Sequence, residues 1–145
     1  MDFSIYKINK WFFILKCYTK KHPNIKGVIM ITRKIVGSRM SKIVEHNGVI
    51  YFAGIVPNDK TLDVKGQTID VLNIAKELFE EANTDKENIL RAEIYLKDID
   101  RDFADFNEIW DNWVSKENPP ARACVQASMS TPQTLVEIIF TNVKK

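Results

Sequence analysis

Histidine, cysteine and glycine are scarce in this chain: 145 residues hold two histidines, two cysteines and five glycines. The shortage of histidine matters most for chemistry. His22 lies in a lysine-rich N-terminal stretch, so His46 is the one histidine left for the rest of the chain. It abuts an Asn-Gly pair, where a solvated strand end is the ordinary reading. A histidine-based triad is therefore excluded, and so is a histidine-held metal activating water. No GxSxG, P-loop, GxGxxG or HExxH pattern occurs. Cys17 and Cys124 are isolated, with no CxxC or Cys/His spacing, so neither a disulfide framework nor a metal ligand set is expected, and a reducing, cytoplasmic setting fits. Any hydrolysis must rely on a carboxylate or on water held in position.

Long apolar runs are missing too. Between Lys7 and Lys21 the apolar stretch Trp11 to Leu15 is too short for a signal-peptide core and far too short for a membrane span. Residues 1–29 carry six lysines and one aspartate, a net +5. Two readings of this stretch stand side by side: a basic, aromatic tail that touches a membrane surface, or a disordered or non-native extension from an upstream start codon. A strand pattern opens at Met30, which places a single domain over residues 30–145. That part holds fifteen Lys and Arg against eighteen Asp and Glu, a net −3. Nucleic-acid binders present a basic stripe, and this acidic domain shows none, so no nucleic-acid or membrane partner is expected.

The patterning predicts α+β architecture. Met30 to Val36 is rich in β-branched residues, Lys42 to Glu45 forms a second strand, and Asn47-Gly48 predicts a tight hairpin into the apolar run Val49 to Ala53. Asp63 is placed to cap a helix whose Val64, Thr68, Val71, Leu72, Ala75, Leu78, Phe79 and Ala82 recur at helical spacing. Asn83 suits a left-handed end, and Thr84 with Glu87 suits a capping box. Leu90, Ala92, Ile94 and Leu96 alternate with polar residues as a half-buried strand. Asp100 and Asp102 are placed to open a second helix with Phe103, Phe106, Trp110, Trp113 and Val114 on its inner face. After Pro119-Pro120, Arg122 to Ala127 and Leu135 to Val143 read as two strands joined as a hairpin. The order is β-β-β-α-β-α-β-β, a mostly antiparallel sheet with two helices on one face.

Three polar residues interrupt apolar surroundings. Arg122 lies among Ala121, Ala123, Cys124 and Val125, and Glu137 sits in Thr-Leu-Val-Glu-Ile-Ile-Phe. A buried charge must be paired, so either the two form a salt bridge between adjacent strands or they serve a ligand, Arg122 taking a carboxylate and Glu137 a water or amine. Asn107 lies on the apolar stripe of the second helix, where its amide holds either a loop or a ligand. Cys124 reads as a small buried thiol, and Trp110 and Trp113 read as core.

Taken together, these pieces resemble a known family. Pro120-Ala121-Arg122-Ala123-Cys124-Val125, followed by Val136-Glu137-Ile138, resembles the C-terminal signature of the Rid family of reactive intermediate deaminases, the YjgF/RutC type. Tyr51-Phe52-Ala53-Gly54 resembles the strand that ends at that family's site. Leu96-Lys97-Asp98-Ile99 and Asp102-Phe103, with Asn107 beyond, resembles its helix-opening segment. The match spans about residues 31–145. The resemblance implies a chorismate-mutase-like fold, a homotrimer with sites between subunits, and hydrolytic deamination of enamine or imine acids such as 2-aminoacrylate or 2-iminobutyrate. By that resemblance Arg122 grips the substrate carboxylate and Glu137 holds the attacking water, while Gly54, Cys124 and Asn107 shape the pocket. No metal or other cofactor is implied.

The chain also departs from the family's best-studied branch. Ala53-Gly54-Ile55 stands where that branch often has Ser-Gly-Gln, and Met40 stands where it has a tyrosine, which removes two hydroxyls from the implied pocket. The Trp-rich second helix resembles a different bacterial branch. A non-catalytic trimeric carboxylate-binding module with a sensor or regulatory role is the alternative. It needs Arg122 but tolerates loss of Glu137.

Overall fold

The computed structural model describes residues 30–145. The expectations placed on residues 1–29 lie outside the described residues. The chain folds as β1 (Thr32–Val36), β2 (Ser41–His46), β3 (Val49–Phe52), α1 (Val64–Glu81), a 3-10 turn (Lys86–Asn88), β4 (Ile89–Leu96), α2 (Ile99–Trp113), β5 (Ala121–Gln126) and β6 (Val136–Val143). This is the order expected from the sequence.

Local chemistry explains most boundaries. Asn47 and Gly48 take φ values of 52° and 77°, as a tight β2–β3 turn requires. Asp63 caps α1, its carboxylate accepting from the Gly66 N–H at 2.8 Å. Asn83 ends α1 in the left-handed region at φ 56°. Two expected caps differ. Asp98, rather than Asp100 or Asp102, caps α2 by accepting from the Arg101 N–H at 3.1 Å, and the other two supply charge to the first turn. Asp85 rather than Thr84 caps the 3-10 turn. Thr84 is buried and donates instead to the Val143 carbonyl at 2.6 Å, a tertiary partner that takes its hydroxyl away from capping.

The sheet order is β1-β2-β3-β6-β4-β5, with β4–β5 parallel and every other pairing antiparallel. The expected β5–β6 hairpin is therefore wrong. Chain leaving β4 crosses through α2 and returns as its parallel neighbour β5, the usual outcome of a strand–helix–strand unit. Strand β6 then inserts between β3 and β4. Its alternating buried positions, Val136, Ile138, Phe140 and Asn142, need neighbours on both sides.

Both helices pack on one sheet face. Phe79 of α1 meets Phe140 edge-on with centroids 5.2 Å apart, and Trp110 of α2 stacks on the same ring at 6.3 Å. Ile50, Val71, Ala75, Ala92, Leu96, Phe106 and Ile138 complete this core. Within α2 the inward stripe is shifted in the first turn. Phe103 is 44% exposed, and Asp102 turns inward in its place, gripped by Arg101 Nε and Nη2 at 2.6 and 2.7 Å. Sequence reasoning also passed over Gln67. Its buried amide donates to the Leu62 and Gln133 carbonyls at 3.0 and 2.9 Å and accepts from the Leu135 N–H at 2.8 Å. That side chain fixes the β5–β6 connection to the start of α1.

Candidate active site

Arg122 is the second residue of edge strand β5. Its Cα partner in the parallel ladder is Ala92, whose side chain lies in the core, so Arg122 extends on the helix-covered face at the rim of the sheet. One terminal nitrogen, Nη2, donates to Asn107 Oδ1 at 2.7 Å. The guanidinium carbon lies over the Phe106 and Trp110 rings, 5.4 and 5.2 Å from their centroids. Each such contact is worth about 0.5–1 kcal/mol at an exposed position. No carboxylate among the described residues pairs with Arg122. The rings contact the guanidinium at Cζ, Asn107 and the Cys124 sulfur accept from it, and its remaining N–H donors are open to a ligand.

Cys124 follows two residues later on the same face, opposite Ile94. It is half-buried, and burial pushes its thiol above the ordinary cysteine range, while the charge of Arg122 and a hydrogen bond from it work in the opposite direction. The protonated thiol is the resting form at neutral pH.

Glu137 sits elsewhere. Strand β6 buries Val136 and Ile138, so the intervening Glu137 points to the face that carries no helix. Its Cα partner on β4 is Tyr95. A bulge brings Gly54 against it. Tyr51 pairs with Thr141, but Ile55 pairs with Ile138, a slip of one residue across Phe52, Ala53 and Gly54. The Ile55 N–H donates to the Ile138 carbonyl at 2.9 Å, and the Ala53 N–H turns away to the Lys42 carbonyl at 3.0 Å. The slip leaves Gly54 so close to Glu137 that a Cβ there would lie 1.8 Å from its Oε1. The glycine is needed for close approach rather than for a special φ.

The structure therefore brings together Arg122, Asn107 and Cys124, and separately Gly54 and Glu137. It does not join the two groups within one chain. The expected alternative of an Arg122–Glu137 salt bridge between adjacent strands does not form, because β4 lies between β5 and β6 and the two side chains leave opposite faces. Asn107 holds Arg122 instead of a loop. Phe106 and Trp110, expected only in the core, also contact the Arg122 guanidinium. Their spacing of four, flanking Asn107 on one helix, was the available signal. His46 is half-buried rather than solvated, its Nδ1 lacking a partner among the described residues and its Nε2 lying 3.2 Å from Asn47 Nδ2.

Comparison with known proteins identifies the family. The model of the family described as Endoribonuclease L-PSP matches residues 33–143. A RutC family protein of Haemophilus ducreyi is 41% identical over 112 residues, which are 77% of this chain and 95% of that protein. The chain belongs to the YjgF/RutC family. The RutC family protein YoaB of Escherichia coli is 37% identical over 108 residues, 74% of this chain and 93% of its own length. Among solved structures, NMB1025 of Neisseria meningitidis, a YjgF family member, superposes with a TM-score of 0.79 at 38% identity, covering 82% of this chain and 98% of its own. The fold is accordingly chorismate-mutase-like, with a six-stranded mixed sheet and two helices.

Proposed function

We propose that this YjgF/RutC family member hydrolyses small enamine or imine acids, such as 2-aminoacrylate or 2-iminobutyrate, to 2-oxo acids and ammonia. The observation that carries the reading is Arg122: a guanidinium held in place, free of any carboxylate partner among the described residues, and open at the sheet rim. A planar fork of N–H donors is the group best suited to a carboxylate. The substrate is electrophilic at its C=N carbon once the enamine has tautomerised. Water adds there, its proton passing to a carboxylate and from it to the nitrogen, and the tetrahedral carbon expels ammonia as its hydroxyl gives up a second proton to the departing amine and the C=O forms. Glu137 is the carboxylate suited to orienting and deprotonating that water. The scheme uses no metal, cofactor or covalent intermediate.

One chain supplies Arg122 and Glu137 on opposite faces, so the site needs a second copy. We place it between subunits of a homotrimer, where Arg122 at the rim of one copy meets Glu137 of the next. Tyr51 and Val125, 50% and 46% exposed, lie on the helix-free face and would be covered there. The net −3 of residues 30–145 disfavours RNA as the substrate despite the family description Endoribonuclease L-PSP. No helix among the described residues is long and apolar enough to cross a membrane, and the chemistry suits the cytoplasm. The separation of Arg122 from Glu137 also favours a second reading. A trimer that kept the carboxylate clamp without bringing Glu137 to it would be a carboxylate-binding module without turnover, with a sensor or regulatory role.

The test is direct. A threonine dehydratase generates 2-iminobutyrate in situ, and 2-oxobutyrate formation is followed with and without this protein. Acceleration supports the deaminase. Saturable 2-oxobutyrate binding without acceleration supports the binding module.

A further inference from the structure

We infer that Trp110, with Phe106 beside it, is a positioning residue that sets the plane of the Arg122 guanidinium. The inference rests on the carboxylate-clamp reading above for its consequence, but not for its geometry. Trp110 is 3% exposed and cannot itself touch a ligand at the rim. It is fixed from several sides: it stacks on Phe106 at 6.0 Å with 23° between the rings, on Phe140 at 6.3 Å with 9°, and leans on Trp113 at 5.5 Å. The Arg122 guanidinium caps this stack.

A guanidinium has a flat face without donors and an edge that carries all its N–H groups. Contact with aromatic rings occupies the face and leaves the edge free. Asn107 then removes the remaining freedom, since its bond to Nη2 fixes rotation within the plane. Ring contact at Cζ and this bond at Nη2 together hold the fork. An arginine on an exposed strand edge would otherwise sample many rotamers, and ordering it on binding would weaken the complex. The aromatic stack supplies that order in advance, so the clamp is preformed by core residues that never meet the substrate.

Five arginines make the side-chain nitrogen NMR spectrum sparse enough to follow Arg122, whose signal is the one lost in Arg122→Lys. In the parent, rotation about its Nε–Cζ bond is expected to be slow relative to the exposed arginines. Trp110→Phe keeps a ring there and should preserve both the slow rotation and the 2-oxobutyrate Kd. Trp110→Leu should speed rotation and raise Kd about tenfold. Trp113→Leu, which loosens the same aromatic cluster without touching Arg122, should lower Tm while leaving rotation and Kd unaltered, which a purely structural role of the cluster could not produce. Phe106→Leu supplies the same readings if Trp110→Leu does not fold. Unchanged rotation and Kd in Trp110→Leu and Phe106→Leu, or an equal Kd penalty in Trp113→Leu, overturns the inference. If the parent binds no 2-oxo acid while Arg122 rotation still depends on Trp110, the bracket stands and the substrate reading falls.

Discussion

Arg122 and Glu137 leave opposite faces of one sheet, with strand β4 between their strands. Neither charge neutralises the other, and each has its own local support. Arg122→Ala therefore removes a hydrogen bond and two ring contacts at the rim without stranding a buried partner. It should cost only about 1–2 kcal/mol, well short of the roughly 3–5 kcal/mol expected on breaking a buried salt bridge. Carboxylate binding should disappear. Arg122→Lys should not restore it, because a point charge cannot reproduce the planar fork. Thermal melting and 2-oxobutyrate calorimetry measure the two effects, and turnover of 2-iminobutyrate by Arg122→Ala at the parental rate would refute the clamp.

Glu137→Gln keeps the shape against Gly54 and can still hold water, but it cannot accept a proton. Carboxylate affinity should persist while kcat falls by roughly a hundredfold or more. Gly54→Ala attacks the same group from the other side. A methyl group 1.8 Å from Oε1 must displace the Glu137 carboxylate, so kcat should drop with the glutamate still present. The double variant should be no worse than the poorer single one, since both remove one function. A steady-state comparison of the three variants decides it.

Gln67 makes a different kind of contribution. Three hydrogen bonds run from its buried amide to Leu62, Gln133 and Leu135. Gln67→Leu fits the space but leaves backbone groups of the connection before β6 without partners. Each unsatisfied group costs about 1–3 kcal/mol, so the variant should lose several times more stability than Arg122→Ala. Parallel urea melts rank the two, and the ranking reverses if Arg122 is the structural residue.

Much of this was legible in the chain. Helical spacing from Val64 onward and Asp63 before it located α1, and the Asn-Gly pair located the β2–β3 turn. In β6, Val136, Ile138 and Phe140 alternate with Glu137, a pattern in the chain that carries the placement of Glu137 on the other face. What alternation cannot tell is which strand lies beside which. Two strands joined by a short loop suggest a hairpin, and only the crossover through α2 explains why β5 pairs with β4. The relation of Arg122 to Glu137 depends on that neighbour, so it was hidden. Phe103 was misread for a local reason: the paired Arg101 and Asp102 made the inward position in the first turn of α2 available to a carboxylate. The bulge at Gly54 leaves no mark on composition, because it arises from a register slip between strands far apart in sequence.

Cys124 offers a test by pH. Burial raises its thiol pKa, so the folded state keeps the proton longer than the unfolded chain does. Stability is then unaffected by this group at neutral pH, and it declines as pH rises past the unfolded cysteine value towards the folded one. Iodoacetamide should label Cys124 slowly in the native protein at pH 8 and fast in denaturant. Mass mapping separates it from Cys17. Native labelling as fast as that of the unfolded chain would show that the thiol is not shielded in the site wall.

Sharing of the site between subunits has a sharper test than molecular mass. Arg122→Ala and Glu137→Gln should each be inactive as pure oligomers, for different reasons. If Arg122 of one copy works with Glu137 of the next, unfolding the two variants together and reassembling them creates some interfaces with both residues intact. Random mixing in equal amounts around a three-fold ring gives an intact pair at about a quarter of the sites. Activity should therefore rise from near zero to about a quarter of the parental value. Light scattering on the same sample should report three copies. If both residues served a site within a single chain, no mixture could regain activity, because every chain would carry a defect. Failure of the mixture to recover while the parent is active and trimeric would thus assign the site to one subunit, and Arg122 would have to reach over the β5 edge to meet its own Glu137.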